Sequence, residues 1–310
     1  FTSKSKVFIL ASCVSAVFIA FGTLVHLKKG FEVEYVADFD VRQKGVWNSF
    51  VAKDVSTNDC RYRLNAANLD SKRFDNCHQR HGEAIVIVGG SHAIDFFNAF
   101  LANSKAPFVV GFAQGGCRPY KPLLECNFEG FKGFISTNIT DIQTVFYVQS
   151  GLELLLDKHN IPALPDFFTK NQNQSYSINV ERVELVVNYL QSFGADQKIV
   201  WLGPRFEPWL NANKMLKQAL ACKSSMPELD MTANMDIFAK LDQTLMRQLQ
   251  KYKSLTYVSG LDAIGFNPSN DLYTCNEVFW FDGDHWSNAG TKEFGHRIIN
   301  TLRDKKILVD

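Results

Sequence analysis

The stretch that decides the fold is Glu83-Ala-Ile-Val-Ile-Val-Gly-Gly-Ser-His-Ala-Ile-Asp-Phe-Phe-Asn-Ala-Phe100. A β-branched run, Ile85 to Val88, ends in two glycines, and Ser91 and His92 open what reads as a helix. A short apolar run bounded by glycine is the pattern of a buried strand. Serine at that point has two readings: a helix cap accepting from an orphan backbone N–H, or a nucleophile at the mouth of a strand. The rest of the chain decides between them.

Beyond this stretch the sequence alternates. Ala84–Val88, Phe108–Ala113, Thr144–Val148, Ile199–Leu202 and Leu255–Val258 read as strands. Residues 180–193 and 235–252 place apolar residues three and four apart and read as amphipathic helices. A last helix is expected over about Ala289–Leu302, after Ser287 and Asn288 as candidate caps. Strands alternating with helices predict an α/β fold, a parallel sheet covered on both faces, with ligands at the carboxyl ends of its strands. Ser91 follows the first strand, in that position.

The first thirty residues differ in kind. Val7 to Val25 carries no charge, and Lys4, Lys6, Lys28 and Lys29 flank it. As a helix this run spans a hydrocarbon core of about 30 Å. It is longer than a signal-peptide core and continues past the lipoprotein-like Leu10-Ala-Ser-Cys13, so a transmembrane helix is expected over residues 1–30. Lysines on both sides leave its orientation open. Residues 31–82 are polar and mixed and read as a linker or extension, whose Val46, Trp47, Phe50 and Val51 are candidates to dock on a domain over 83–310.

Of 310 residues, 33 are Lys or Arg and 32 Asp or Glu. That balance lacks the basic surplus or stripe of a nucleic-acid partner. Cys13 lies in the apolar run. The other six cysteines, Cys60, Cys77, Cys117, Cys126, Cys222 and Cys275, are even in number and suit disulfides in an oxidising compartment. Composition leaves the pairing open; chain order gives 60–77, 117–126 and 222–275. A zinc site from Cys77, His78 and His81 near Cys60 lacks the usual close ligand pairs, and no metal is expected.

A serine nucleophile needs a base, and the base an orienting carboxylate. Near the C-terminus, in Phe279-Trp-Phe-Asp-Gly-Asp-His-Trp286, Asp282 precedes His285 by three residues. His285 is the expected base and Asp282 its orienter; Asp284, adjacent to the histidine, is expected to point elsewhere. Gly89-Gly-Ser-His-Ala93 falls one residue short of the Gly-x-Ser-x-Gly elbow of α/β-hydrolases, a fold with several strands before its serine.

Serine after the first strand, with a terminal Asp-x-x-His, resembles the SGNH hydrolase superfamily. Gly89 to Ala93, the cysteines before it and Asp282-x-x-His-x-Ser-x-x-Gly290 are closest to the SGNH domain fused to bacterial acyltransferase-3 membrane O-acetyltransferases. The resemblance covers residues 84–302. It implies a three-layer α/β/α, flavodoxin-like domain with Ser91, Asp282 and His285 as the catalytic residues. The oxyanion hole would be the N–H of Ser91 and of Gly115 or Gly116. It also implies a bacterial inner-membrane protein with its SGNH domain in the periplasm. The chain begins with Phe1, and an acyltransferase-3 membrane domain is expected upstream in the same full-length protein. The segment itself would bind no cofactor; the membrane part would use an acetyl donor, acetyl-CoA. The acceptor would be a cell-envelope polysaccharide such as lipopolysaccharide, and the lipid bilayer the other partner.

Two positions depart from the superfamily. Gly90 stands where aspartate usually precedes the serine. Gly203-Pro204-Arg205, taken as the third block, has no asparagine, leaving Arg205 as a candidate donor, a sugar contact or a salt-bridge partner elsewhere. These departures keep two alternatives open: a membrane-tethered carbohydrate esterase, and a carbohydrate-binding module that has lost catalysis.

Overall fold

The computed structural model describes residues 4–27, 36–51, 58–64, 69–120, 126–157, 159–162, 176–194, 198–223 and 232–308. Helix α1 (Lys4–Leu27) holds the apolar N-terminal run, and its apolar side chains are exposed along its length. From Lys6 to Leu27 it is long and apolar enough to cross a membrane. Then come α2 (Val41–Phe50), β1 (Arg61–Arg63), α3 (Ser71–His81), β2 (Ala84–Gly89) and α4 (Ser91–Asn103). The order continues with β3 (Val109–Ala113), α5 (Phe128–Thr137), β4 (Ile142–Val148), β5 (Leu155–Leu156), β6 (Ser177–Ile178) and α6 (Val180–Gln191). Last are β7 (Ile199–Leu202), α7 (Ala212–Leu220), α8 (Thr232–Leu249), β8 (Leu255–Val258), α9 (Gly260–Ile264) and α10 (Asn288–Asp304).

Six strands form one sheet in the order β1-β3-β2-β4-β7-β8, with every pairing parallel. β5 and β6 make a small antiparallel pair apart from it. All six residues of β2 are buried, as the centre of a sheet covered on both faces requires. Neighbouring residues of β3 show the layers. A Cβ on Gly111 would lie 2.9 Å from the Phe97 ring of α4. Phe112 turns the other way and meets Phe131 and Phe134 of α5 at 5.1 and 5.3 Å between ring centroids. The result is the three-layer α/β/α sandwich expected from the sequence, and all five expected strands are present.

The boundary expected at residue 83 moves toward the N-terminus. Residues 31–82 are not a linker throughout, because β1 pairs with β3 in register Tyr62↔Val110 and extends the main sheet. Phe74 and Cys77 of α3 are fully buried, as is Val46 of α2, while Trp47 and Val51 pack against the core. Arg42 fastens α2 in place. Its guanidinium donates to the carbonyls of Ala219 and Leu220 at the end of α7, and to that of Cys275. The first two belong to the last turn of α7, where a helix leaves carbonyls without a full set of intrahelical partners. The six cysteines form three disulfides in chain order: 60–77, 117–126 and 222–275.

The chain leaves β2 for β3 on one side and then crosses to β4 on the other. That reversal opens a crevice at the carboxyl ends of β2 and β4, the usual ligand site of such sheets. Gly89 closes β2 there with φ +150°, and a Cβ on it would come within 1.9 Å of the Val148 carbonyl oxygen. Only glycine allows β4 to pass so close. The following two residues are thereby delivered to the crevice.

Candidate active site

Ser91 is not a cap. The N-cap of α4 is Gly90, with no side-chain capping bond, and Ser91 is the first helical residue. Its hydroxyl is therefore not consumed in closing the helix. Gly90 fits tightly under the loop after β3, since a Cβ there would lie 3.2 Å from the Cys117 carbonyl oxygen. The Cys117–Cys126 disulfide pins that loop. Gly115 and Gly116 occupy its exposed turn, which Cys117 N–H closes onto Gln114 C=O at 3.2 Å; Gly116 has φ +75°.

The histidine comes from the loop between α9 and α10. Phe281 N–H to His285 C=O, at 2.9 Å, closes this loop at its base. Asp282 then organises the turn, because its Oδ1 accepts the N–H groups of Asp284 and His285 at 3.0 and 2.8 Å. The same carboxylate meets the ring: His285 Nδ1 lies 2.8 Å from Asp282 Oδ2. Three-residue spacing thus places carboxylate and imidazole in contact. Burial works against the Asp282 anion, yet the hydrogen bonds from His285 and the Asp284 N–H hold its carboxyl below the usual range.

His285 Nε2 is buried with no hydrogen-bond partner among the described residues. No hydrogen bond joins it to Ser91. The ring of His92, next to Ser91 in the chain, meets the His285 ring edge-on at 5.6 Å. Catalytic hydrogen bonds are often long in unliganded enzymes and tighten around the substrate.

Asp284 corrects the sequence reading. It does not point elsewhere: its Oδ1 lies 3.1 Å from His285 Nδ1 and its Oδ2 3.1 Å from His92 Nε2. His285 is thus held by two carboxylates. Desolvation lowers its pKa, but hydrogen bonds to Asp282 and Asp284 outweigh that and raise it to about 10. His92 goes the other way. Burial, with Arg205 nearby, pushes it down to about 3, so its ring is neutral.

Arg205 follows its salt-bridge alternative. It is buried rather than facing a substrate, and its Nη2 donates to the Asp95 carboxylate and, at 2.6 Å, to the Asp284 carbonyl. Its guanidinium lies 4.0 Å from the centre of the Trp286 ring. Asp95 also accepts the Trp286 N–H at 3.1 Å. Arginine on β7's loop, aspartate on α4 and the backbone of the histidine loop form one internal clamp.

Other polar groups escaped the sequence reading. Glu207 is fully buried and accepts from Ser150 Oγ at 2.8 Å and Gly151 N–H at 2.6 Å. Gln149, just past β4, is buried with its Nε2 unpartnered among the described residues. The register Gly89↔Val148 sets it beside the end of β2. A signal for part of this set was present: His92 and Asp95 stand three apart in an otherwise apolar helix. Glu207 lies between prolines and aromatics with no period to mark it.

Among the described residues, His92, Asp284 and His285 bring potential metal-ligating atoms within 4.8 Å of one another. The three are joined by direct imidazole–carboxylate contacts. Asp282 and Asp284 thus both meet His285, while Ser91 opens α4 next to His92, whose ring meets that of His285.

Comparison with known proteins places this architecture. The family described as "SGNH domain (fused to AT3 domains)" matches residues 59–300. That span begins before β1 and so includes the segment first read as a linker. No curated protein matches the chain. The periplasmic domain of a lipopolysaccharide acetyltransferase from Salmonella ser. Paratyphi A is similar in structure. It shares 17% identity, covers 78% of this chain and 90% of that one, and has a TM-score of 0.51. The C-terminal catalytic domain of peptidoglycan O-acetyltransferase A from Streptococcus pneumoniae is more distant. There identity is 11%, coverage 73% of this chain and 96% of that one, and the TM-score 0.37. The fold, the matched span and the site at the end of β2 agree: the chain belongs to the SGNH domains that are fused to AT3 domains.

Proposed function

We propose that the domain is an O-acyltransferase acting through an acyl-enzyme on Ser91. The observation that supports this reading is an imidazole fixed at Nδ1 and unpartnered at Nε2 among the described residues, in a chain whose helix-start serine is free of capping duty. Neutral His285 takes the proton of Ser91 as Oγ attacks the acyl carbonyl. It then protonates the leaving group, and an acyl-serine remains. The acceptor hydroxyl enters next, gives its proton to His285 and takes the acyl group, which frees Ser91. Asp282 steadies the imidazolium formed in each half-reaction.

The developing oxyanion needs donors already in place, commonly the largest catalytic contribution. The candidates are the N–H groups of Ser91 and of Gly115 or Gly116. Gln149 offers the side-chain amide that Gly203-Pro204-Arg205 lacks.

In this reading the acyl group is acetyl and the acceptor a cell-envelope polysaccharide. Helix α1 anchors the domain in the inner membrane, with the domain in the periplasm. Three disulfides suit that compartment. An AT3 membrane domain in the same protein delivers the acetyl group from a donor such as acetyl-CoA. The family description, which names that fusion, supports this arrangement. One observation favours a second reading, a tethered esterase: the Asp282 side chain is 47% exposed, so water has access to the loop.

The test is O-acetylation of envelope polysaccharide in cells carrying the full-length protein with Ser91→Ala. Loss of acetylation is expected; undiminished acetylation overturns the assignment. Release of free acetate in place of polysaccharide ester by the unaltered protein identifies the esterase.

A further inference from the structure

Behind His285 lies a line of buried titratable groups that the three-residue triad does not use. Asp284 places one oxygen on each of two histidines, at 3.1 Å from His285 Nδ1 and 3.1 Å from His92 Nε2. On the far side of His92, Nδ1 lies 3.9 Å from Glu207 Oε1. Glu207 is tied down in turn by Ser150 and by the Gly151 N–H. His92 and Glu207 are essentially inaccessible to solvent, at 1% and 0% exposure.

The proton inventory of this line is determined by its acceptors. A carboxylate only accepts, so the single proton of neutral His92 belongs on Nε2, facing Asp284. Its Nδ1 lone pair then faces Glu207, an arrangement that disfavours an anion there. Burial, reinforced by the charge of Asp284, pushes Glu207 up to about 8, which leaves it protonated at neutral pH. Asp284 is the reverse case. Burial opposes its anion, but hydrogen bonds from His285 and His92 hold its carboxyl well below the usual range. The negative charge therefore rests on Asp284, against His285.

We propose that Asp284 is a second carboxylate partner of His285, a positioning residue locked by the buried His92–Glu207 pair, and that it stabilises the protonated imidazole alongside Asp282. The proposal rests on the acyl-transfer reading for its catalytic meaning, but not for its geometry. Asp282 is half exposed and shares its field with water. Asp284 is mostly buried, and its charge is less screened. Fixing one oxygen on His92 leaves the other for His285 and prevents the carboxylate from swinging away. Other charged groups face the ring too. Asp95 approaches from α4, and Arg205, from the loop after β7, binds both Asp95 and the Asp284 backbone. Asp95 adds to the upward pull on His285, after the larger contributions of the hydrogen bonds to Asp282 and Asp284.

The test is the protonation midpoint of His285, read by NMR of the whole chain in detergent with histidines labelled at Cε1 and assigned with His285→Gln. The expected midpoint lies above about 8, against about 6.5 for an ordinary histidine. Asp284→Asn lowers it by at least about one pH unit, and His92 shows no titration between about pH 5 and 9. A midpoint near 6.5 in the unaltered chain overturns the proposal, whatever the variant does. So does an Asp284→Asn chain that folds and keeps the unaltered midpoint. Acylation of Ser91 by an ester probe is followed on the same samples. A raised midpoint lowered by Asp284→Asn, in a chain whose Ser91 takes up no acyl group, supports the Asp284 arm and removes the acyl-transfer reading.

Discussion

His285 is bonded to Asp282 on one side of its ring, with Nδ1 2.8 Å from Oδ2, and its opposite nitrogen is buried without a partner among the described residues. An orphaned buried nitrogen costs free energy unless something meets it. In the acyl-transfer reading, the Ser91 hydroxyl is the group that would meet it.

The second carboxylate on Nδ1 gives Asp282→Asn an unusual outcome. Where one aspartate holds the histidine, its loss costs about 10⁴-fold in turnover. With Asp284 still in place, the acylation rate should fall by no more than about 10²-fold, and Asp282→Asn with Asp284→Asn should approach the larger loss. Acylation by a chromogenic acetyl ester measures both. A single variant as damaged as the double would show that Asp284 gives His285 no support.

Protonation of His285 sets the pH dependence. Only the neutral ring accepts the Ser91 proton, and the midpoint is raised to about 10 because hydrogen bonds to Asp282 and Asp284 outweigh desolvation. The neutral fraction, and with it acylation of Ser91, should therefore climb close to tenfold per pH unit from about pH 6 to 8. A rate–pH profile on a short ester provides the check. A plateau reached below pH 7 would contradict it.

Arg205 should behave as a structural residue. Replacing it with methionine leaves Asp95 buried without its cation, a change that costs about 3–5 kcal/mol. Thermal unfolding of the chain in detergent should show that loss. Unchanged stability with weakened use of the acceptor would instead restore Arg205 to the substrate site.

The two glycines before the serine should respond very differently. Alanine at Gly89 would put a Cβ 1.9 Å from a β4 carbonyl at a φ of +150°, whereas at Gly90 the nearest atom is 3.2 Å away and φ is negative. Gly89→Ala should cost about 3 kcal/mol or more, and Gly90→Ala about 1 kcal/mol or less. Similar unfolding temperatures for the two variants would mean that β4 does not press on β2 as described.

The central strands were legible because burial on both faces leaves an uninterrupted apolar run, as in Ile85 to Val88. β1 was not, since its three residues, Arg61-Tyr62-Arg63, sit at the sheet edge with one buried side chain between two arginines. α3 was hidden similarly: only Phe74 and Cys77 of its eleven residues are buried. The Asp282–His285 contact was readable because a three-residue turn constrains it locally. Asp284 was misjudged, and the alternatives for Arg205 stayed open, because the direction of a loop side chain depends on partners remote in sequence: His92 lies 192 residues from Asp284 and Asp95 110 from Arg205. Spacing carries no record of such contacts.

The most direct measurement is covalent trapping of Ser91 with a fluorophosphonate, followed by intact mass and peptide mapping. One adduct is predicted, located on Ser91, absent in Ser91→Ala and strongly slowed in His285→Gln. Failure of the folded, unaltered chain to react, or labelling at another residue, would contradict the account.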